Sequence, residues 1–180
     1  MKFVLLPITV TGMLLAGCAA TVNTTTASAP PLKTSATSAK NIVLNLEGDP
    51  QHTAGEDWAK LKTAWQSGMK TAATEIGAGY AEQDGKPRAT GRDGTVVAVH
   101  IKDYRYLGTG TRYGLGAFAG NAFVDANVSF IDARSGKLLG ERAYNTSSSA
   151  WQGIFSAMTD KQIEALSREI VGEIHNEQLR

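Results

Sequence analysis

The sequence predicts an α+β domain, a two-layer sandwich in which two helices cover one face of a four-stranded mixed sheet. Three observations lead to this prediction. Apolar and polar residues alternate along most of residues 95–145, which is typical of strands with one buried face. Two other segments carry apolar residues three and four positions apart, which is typical of amphipathic helices. The order along the chain is strand, helix, strand, strand, strand, helix.

The first strand and the first helix are predicted between residues 41 and 79. Residues 41–46 alternate, with Ile42, Leu44 and Leu46 on one face. Residues 53–56 have the form of a capping box, a hydroxyl followed by a carboxylate, which predicts a helix start. One apolar face then runs to a helix end at Gly77 or Gly79. Its residues are Trp58, Leu61, Trp65, Met69, Ala72 and Ile76.

Residues 83–94 are polar and contain several glycines and a proline, so they are predicted to form an exposed loop. Glu82, Asp84 and Asp93 are the carboxylates in or beside this loop. Their spacing lacks the regular oxygen donors of an EF-hand, and we expect no metal site there.

Three strands with short connections are predicted at residues 95–107, 122–132 and 137–145, and they form an antiparallel meander. Residues 132–136 form the tight turn between the last two strands, with a glycine placed for a left-handed backbone. The first strand of the domain, residues 41–46, should lie parallel to a strand of this meander.

The second helix is predicted from a capping-box pattern at residues 159–162. Its apolar stripe consists of Ile163, Leu166, Ile170 and Ile174. Before it, residues 147–158 contain two large aromatic residues, Trp151 and Phe155, and we expect them to cover one end of the sheet.

A glycine-rich segment, residues 108–120, joins the first two strands of the meander. It lacks the Gly-Lys-Ser/Thr ending of a phosphate-binding loop, so nucleotide binding is not expected. Glycines there fit a bent hairpin connection, where they supply backbone freedom. A ligand-binding loop is the alternative, and the sequence leaves both open.

The first 40 residues predict an export signal and an anchor. Residues 1–17 have a basic start and a short apolar run, as in a signal peptide. Leu15-Ala16-Gly17-Cys18 resembles the bacterial lipobox, which implies lipidation of Cys18, the single cysteine of the chain. Residues 18–40 are predicted to be a disordered tether rich in Ala, Thr, Ser and Pro, and residues 41–180 a single globular periplasmic domain. Ala19, which follows the cysteine, favours the outer membrane by analogy with Gram-negative lipoproteins.

The segment from the glycine-rich bend to residue 137 resembles a family of small bacterial outer-membrane lipoproteins of unknown function. The shared features are Tyr113-Gly114-Leu115-Gly116, the strand that ends at Asp132, and the turn Ser135-Gly136-Lys137. The resemblance extends over about residues 95–175. It implies an envelope protein and implies no activity.

Charge and histidine placement argue against nucleic-acid binding and catalysis. Removal of residues 1–17 takes away only Lys2 among the charged residues, so the remaining basic and acidic residues balance, and no nucleic-acid partner is expected. His52, His100 and His175 are scattered, and His100 and Asp103 should lie on opposite faces of one strand. We therefore expect neither an enzyme nor a cofactor or metal.

Aromatic residues near the glycine-rich bend suggest a binding surface instead. Tyr104 and Tyr106 are predicted on the strand face opposite Val97, and Phe123 also points outward. The candidate partner-binding residues are Tyr104, Tyr106, Arg112, Tyr113, Phe118 and Phe123. The main hypothesis is a lipid-anchored adaptor that binds an envelope protein or a second copy of itself. The alternatives are a module that binds a small ligand or a peptidoglycan fragment through Arg112 and, with less support, an envelope enzyme.

Overall fold

The computed structural model describes residues 21–24, 29–106, 122–147 and 158–178. Within these residues it contains six strands and two long helices. In chain order they are β1 (Thr21–Thr24), β2 (Asn41–Gly48), α1 (Glu56–Glu75), β3 (Gly79–Gln83), β4 (Thr95–Arg105), β5 (Phe123–Asp132), β6 (Leu138–Ser147) and α2 (Met158–Gln178).

The strands form one mixed sheet in the order β1-β6-β5-β4-β2-β3. β4, β5 and β6 form the predicted antiparallel meander, and β2 lies parallel to β4 as predicted. The α+β class with a mixed sheet and two helices is therefore confirmed. The predicted number of four strands is wrong, because β3 pairs in parallel with β2 at one edge and β1 pairs antiparallel with β6 at the other.

The main core lies between the helices and one face of the sheet. The predicted apolar stripes of both helices supply it, together with inward residues of β2, β4, β5 and β6. The two helices also pack against each other at Gly68 of α1. A Cβ atom at Gly68 would come within 2.7 Å of the Ser167 hydroxyl on α2, so a larger residue here would require that hydroxyl to move.

The helix starts differ from the predicted capping boxes. α1 has Gly55 as its N-cap without a side-chain hydrogen bond, while the Thr53 hydroxyl donates to the carbonyl of Pro50 at 3.2 Å. α2 begins at Met158, so Thr159 is already inside the helix. Gln162, predicted to close its box, donates instead to the carbonyl of Ala122 at 3.2 Å.

The end of α1 agrees with the prediction. Gly77 adopts a left-handed backbone with φ of 72°. Its N–H donates to the carbonyl of Thr74, and the N–H of Ala78 donates to the carbonyl of Ala73. This pair of bonds is the Schellman arrangement, which satisfies carbonyls that the helix leaves free.

β3 was missed because its sequence, GYAEQ, carries no apolar alternation and its residues are half-buried or exposed. Backbone pairing holds it at the edge of the sheet. Asn45 of β2 adds a side-chain link, since its amide donates to the carbonyls of Gln83 at 3.1 Å and Gly85 at 2.7 Å.

Part of the predicted disordered tether is packed on the domain. Leu32 is buried in the core, and a Cβ atom at Gly140 of β6 would come within 2.6 Å of its side chain. The N–H of Lys33 donates to the carbonyl of Leu139, and Ser38 and Ala39 are buried. We refer to residues 29–40 as the strap. The strap is therefore packed where the sequence predicted disorder, because Leu32, Ser38 and Ala39 occupy buried positions despite the polar composition of this segment.

Candidate functional site

A β-bulge decides where the predicted aromatic residues of β4 lie. The register with β5 shifts between Ile101 and Asp103. After this shift Tyr104 pairs with Val124, which points into the core. Tyr104 therefore lies on the helix side of the sheet, the same side as Val97. The prediction that it lies on the face opposite to Val97 is wrong, because the extra residue reverses the alternation of side chains.

Tyr104 is held by the connection between β2 and α1. Its hydroxyl donates to the carbonyl of His52 at 3.0 Å, and its ring centroid lies 6.1 Å from the His52 ring and 6.2 Å from the Trp58 ring. Burial, followed by the charge of Asp57, raises the pKa of Tyr104. The phenol therefore stays protonated and acts as a hydrogen-bond donor.

Tyr106 likewise packs against the core and is not on the opposite face as predicted. Its hydroxyl donates to Oδ1 of Asp160 in the first turn of α2 at 2.8 Å. Burial first, and then this hydrogen bond, raise the pKa of Tyr106. The side chain thus connects the end of β4 to the start of α2.

Two clefts have Tyr106 among their lining residues. One, of about 480 Å³, is lined by residues 51–52, 55–57 and 104–106. The other, of about 490 Å³, lies along α1 and reaches Asp160. We refer to the two clefts and Tyr106 as the aromatic end.

Phe123 lies on the other side of the sheet at the same end. It pairs with Arg105 in the register, and the guanidinium carbon of Arg105 lies 5.7 Å from the centre of the Phe123 ring, a cation–π contact. Phe123 is half-buried and Arg105 is exposed. Phe123 points away from the helices, as predicted.

The remaining predicted site residues lie outside the described residues. They are Cys18, Arg112, Tyr113 and Phe118. The structure therefore brings Tyr104, Tyr106 and Phe123 to one end of the sheet, on two different faces.

The histidines pair separately. His100 and Asp103 lie on the same face, contrary to the prediction, because both are in register with residues on the outer face of β5. His100 instead pairs with Asp49 at 2.9 Å, and His52 lies 3.7 Å from Asp103. Among the described residues no group of three His, Cys, Asp or Glu side chains is arranged to hold a metal.

A buried polar network, missed in the sequence, lies under the strap. Nε of Arg142 on β6 donates to Glu173 of α2 at 2.6 Å, and Nη2 donates to the carbonyl of Pro30 at 2.8 Å. The hydroxyl of Tyr144 donates to the other oxygen of Glu173 at 3.0 Å, and burial followed by the charge of Glu173 raises the pKa of Tyr144. The sequence could have indicated this network, because Arg142 and Tyr144 occupy alternate positions of β6 and therefore both point inward.

The sequence matches no protein-family model and no curated protein. Among solved structures, the PelC dodecamer from Paraburkholderia phytofirmans aligns with 86% of this chain and 96% of its own, at 14% identity and a TM-score of 0.48. A second crystal structure, of an uncharacterized protein, has 9% identity and a TM-score of 0.50 over 81% of this chain and 96% of its own. Lipoprotein GNA1162 from Neisseria meningitidis has 16% identity and a TM-score of 0.32 over 76% of this chain and 98% of its own.

Similarity at these levels concerns the fold and assigns no function. Within the described part of the chain, neither helix is long and apolar enough to cross a membrane.

Proposed function

We propose that the chain is a lipid-anchored protein of the bacterial envelope that acts as a non-catalytic adaptor. The lipobox-like ending at Cys18 supports the anchor, and Ala19 supports the outer membrane as the location. More than one acyl chain on Cys18 would give stable membrane attachment.

The observation that supports the binding role is that Tyr106 lines two clefts. A tyrosine in this position offers a large, rigid contact area. Glu56, Asp57 and Arg105 line the first cleft, and Asp160 and Lys60 line the second. The surface therefore fits a polypeptide segment with polar, hydrogen-bonding side chains, supplied by another envelope protein or by a second copy.

In-cell photo-crosslinking tests this proposal. A photoreactive phenylalanine analogue replaces Tyr106 in the full chain, and the same analogue replaces Tyr80 as the matched control. Tyr80 is also half-buried, and its hydroxyl also donates to a carboxylate, Glu82 at 3.0 Å, but it lies at the β3 edge of the sheet. We expect a defined crosslinked product from position 106 that is absent from position 80. Equal yields from both positions would contradict the assignment of the surface.

A small-ligand or peptidoglycan-fragment site is the second candidate. It is favoured by cleft volumes of about 480 Å³ and 490 Å³, which lie within the range of about 300–1,000 Å³ typical of small-molecule sites. Titration of the lipidated protein with soluble peptidoglycan fragments checks it. Saturable binding that is lost in Tyr106→Ala would favour this candidate over the adaptor, and absence of binding would remove it.

A further inference from the structure

The register of the sheet places the start of β1 in one row with the Arg105–Phe123 pair. Thr21 of β1 lies opposite Ser147 of β6, and Ser147 lies opposite Phe123 of β5. Phe123 in turn lies opposite Arg105 of β4. The four backbone positions therefore cross the sheet at a single end, which is also the end that carries Tyr106.

The covalent distance from this row to the predicted anchor is short. Only Ala19 and Ala20 separate Cys18 from Thr21. A fully extended chain covers at most ~3.6 Å per residue, so Thr21 lies within about 11 Å of Cys18. A free tether from Cys18 to the start of β2 would instead reach several times further. This step rests on the proposed function, in which Cys18 carries the acyl chains.

The outer side of this end has the chemistry of a membrane–water interface. The half-buried ring of Phe123 lies beneath the exposed guanidinium of Arg105. Among the described residues, no carboxylate forms an ion pair with Arg105. A guanidinium is weakly hydrated and binds phosphate oxygens in a bidentate way, and a phenylalanine ring on a surface that lies on a membrane is buried at the boundary between headgroups and acyl chains.

The helix side of this end carries groups of both charges. Glu56, Asp57 and Asp160 line the clefts around Tyr106 together with Lys60 and Arg105. The bulge in β4 separates the two sides, because it turns Tyr104 toward the helices and leaves Arg105 on the outer face with Phe123. Asp103 and Asp125 lie next to Arg105 and Phe123 along the outer face, so Arg105 and Phe123 at the last row of the sheet are the pair placed to contact lipid.

We propose that the domain rests on the bilayer with this end of the sheet, and that Arg105 and Phe123 contact phospholipid headgroups. The strap and β1 hold the domain in a fixed orientation, with the opposite end of the sheet directed away from the membrane. The clefts around Tyr106 then open beside the bilayer surface, so a bound protein segment would approach along the membrane.

Spin labelling of the full lipidated chain in vesicles tests this orientation. The vesicles contain zwitterionic phosphatidylcholine with a small fraction of a nickel-chelating lipid, whose paramagnetic ion relaxes nearby nitroxides. One label is placed by Asn127→Cys, on an exposed position four residues along β5 from Phe123. The matched control is Lys137→Cys, which is also exposed and lies beyond the far end of β5. At ~3.3 Å per residue along the strand, it is about 30 Å from the row that contains Phe123. The lipidated sulfur of Cys18 does not react with the label.

We expect relaxation of the label at position 127 to be enhanced several-fold more than at position 137. Arg105→Ala combined with Phe123→Ala should remove most of this difference while the protein stays with the vesicles on flotation. Equal enhancement at both positions would overturn the proposal. Spin–spin broadening at position 127 would also overturn it, because a second copy would then cover this face.

Failure of the anchor itself gives a separate result. If Cys18 carries no acyl chains, the chain does not float with vesicles and its mass lacks the lipid. That result would reject both the proposed anchoring and the orientation built on it. Flotation with equal relaxation at both positions would reject the orientation alone.

Discussion

The buried pair of Arg142 and Glu173 allows a quantitative test of how the strap is attached. The Arg142 side chain is 3% exposed and that of Glu173 is 17% exposed. Arg142→Met removes the guanidinium and keeps an apolar chain of similar length. It leaves the Glu173 carboxylate with the hydrogen bond from the Tyr144 hydroxyl and removes the donor to the carbonyl of Pro30.

Breaking a buried ion pair by removing one partner costs about 3–5 kcal/mol. Water can reach Glu173 in part, so we expect the lower value, about 3 kcal/mol, for Arg142→Met. Replacing both residues by Met removes the unpaired charge, and the double variant should be more stable than the sum of the two single changes by at least about 1 kcal/mol. It should remain less stable than the wild type by about 1–2 kcal/mol, because the Tyr144 hydroxyl loses its acceptor.

Equilibrium unfolding in urea measures these differences in the chain from residue 18 with Cys18→Ser. With a slope of about 2 kcal/mol per molar urea, a loss of about 3 kcal/mol lowers the midpoint by about 1.5 M. Arg168→Met is the matched control. Arg168 is 49% exposed and pairs with Glu75 and Glu164 at the surface, so its loss should cost less than about 1 kcal/mol. Equal midpoints for Arg142→Met and Arg168→Met would refute the reasoning.

Three further changes test other parts of the structure. Leu32→Ala should cost about 2–3 kcal/mol and expose the strap to limited proteolysis, because the leucine is buried against Gly140; unchanged protease resistance would contradict this. Gly136→Ala should lower stability by about 1–2 kcal/mol in thermal unfolding, since φ at this turn is +78°. The pKa of Asp132 is lowered, first by the Ser135 hydroxyl and then by the Ser135 N–H. The stabilisation that the Asp132 carboxylate gives to the fold is therefore present above about pH 4, and it is lost as the pH falls through the lowered pKa. The unfolding free energy of Asp132→Asn, followed from pH 6 to pH 2, should lack this part of the acid dependence. Equal pH dependence of the unfolding free energy in the variant and the wild type would contradict the lowered pKa of Asp132.

The elements with strong periodicity were predictable from sequence. Ile163, Leu166, Ile170 and Ile174 are all fully buried, as a helical stripe requires. The strands of the meander follow in the same way from period-two alternation. In each case the burial of one face determines both the element and its orientation.

The remaining features depend on contacts between distant segments. β3 and the strap have little apolar character, and they are ordered by backbone pairing and by single side chains such as Asn45 and Leu32. The bulge after Ile101 has no sequence signature, yet it reverses the orientation of Tyr104 and of the aromatic end. Tyr104 and Tyr106 were therefore assigned to the wrong face of the sheet, whereas Phe123 lies on the predicted face.

The direction of β1 has a mechanical consequence for an anchored protein. β1 starts at the end of the sheet next to the proposed anchor and runs antiparallel to β6. A force that draws the membrane away from this end would act along the axis of β1. The hydrogen bonds between β1 and β6 would then share the load in shear and would not open one after another. We expect the domain to withstand traction on its lipid anchor better than it would if the same strand were pulled sideways from the edge.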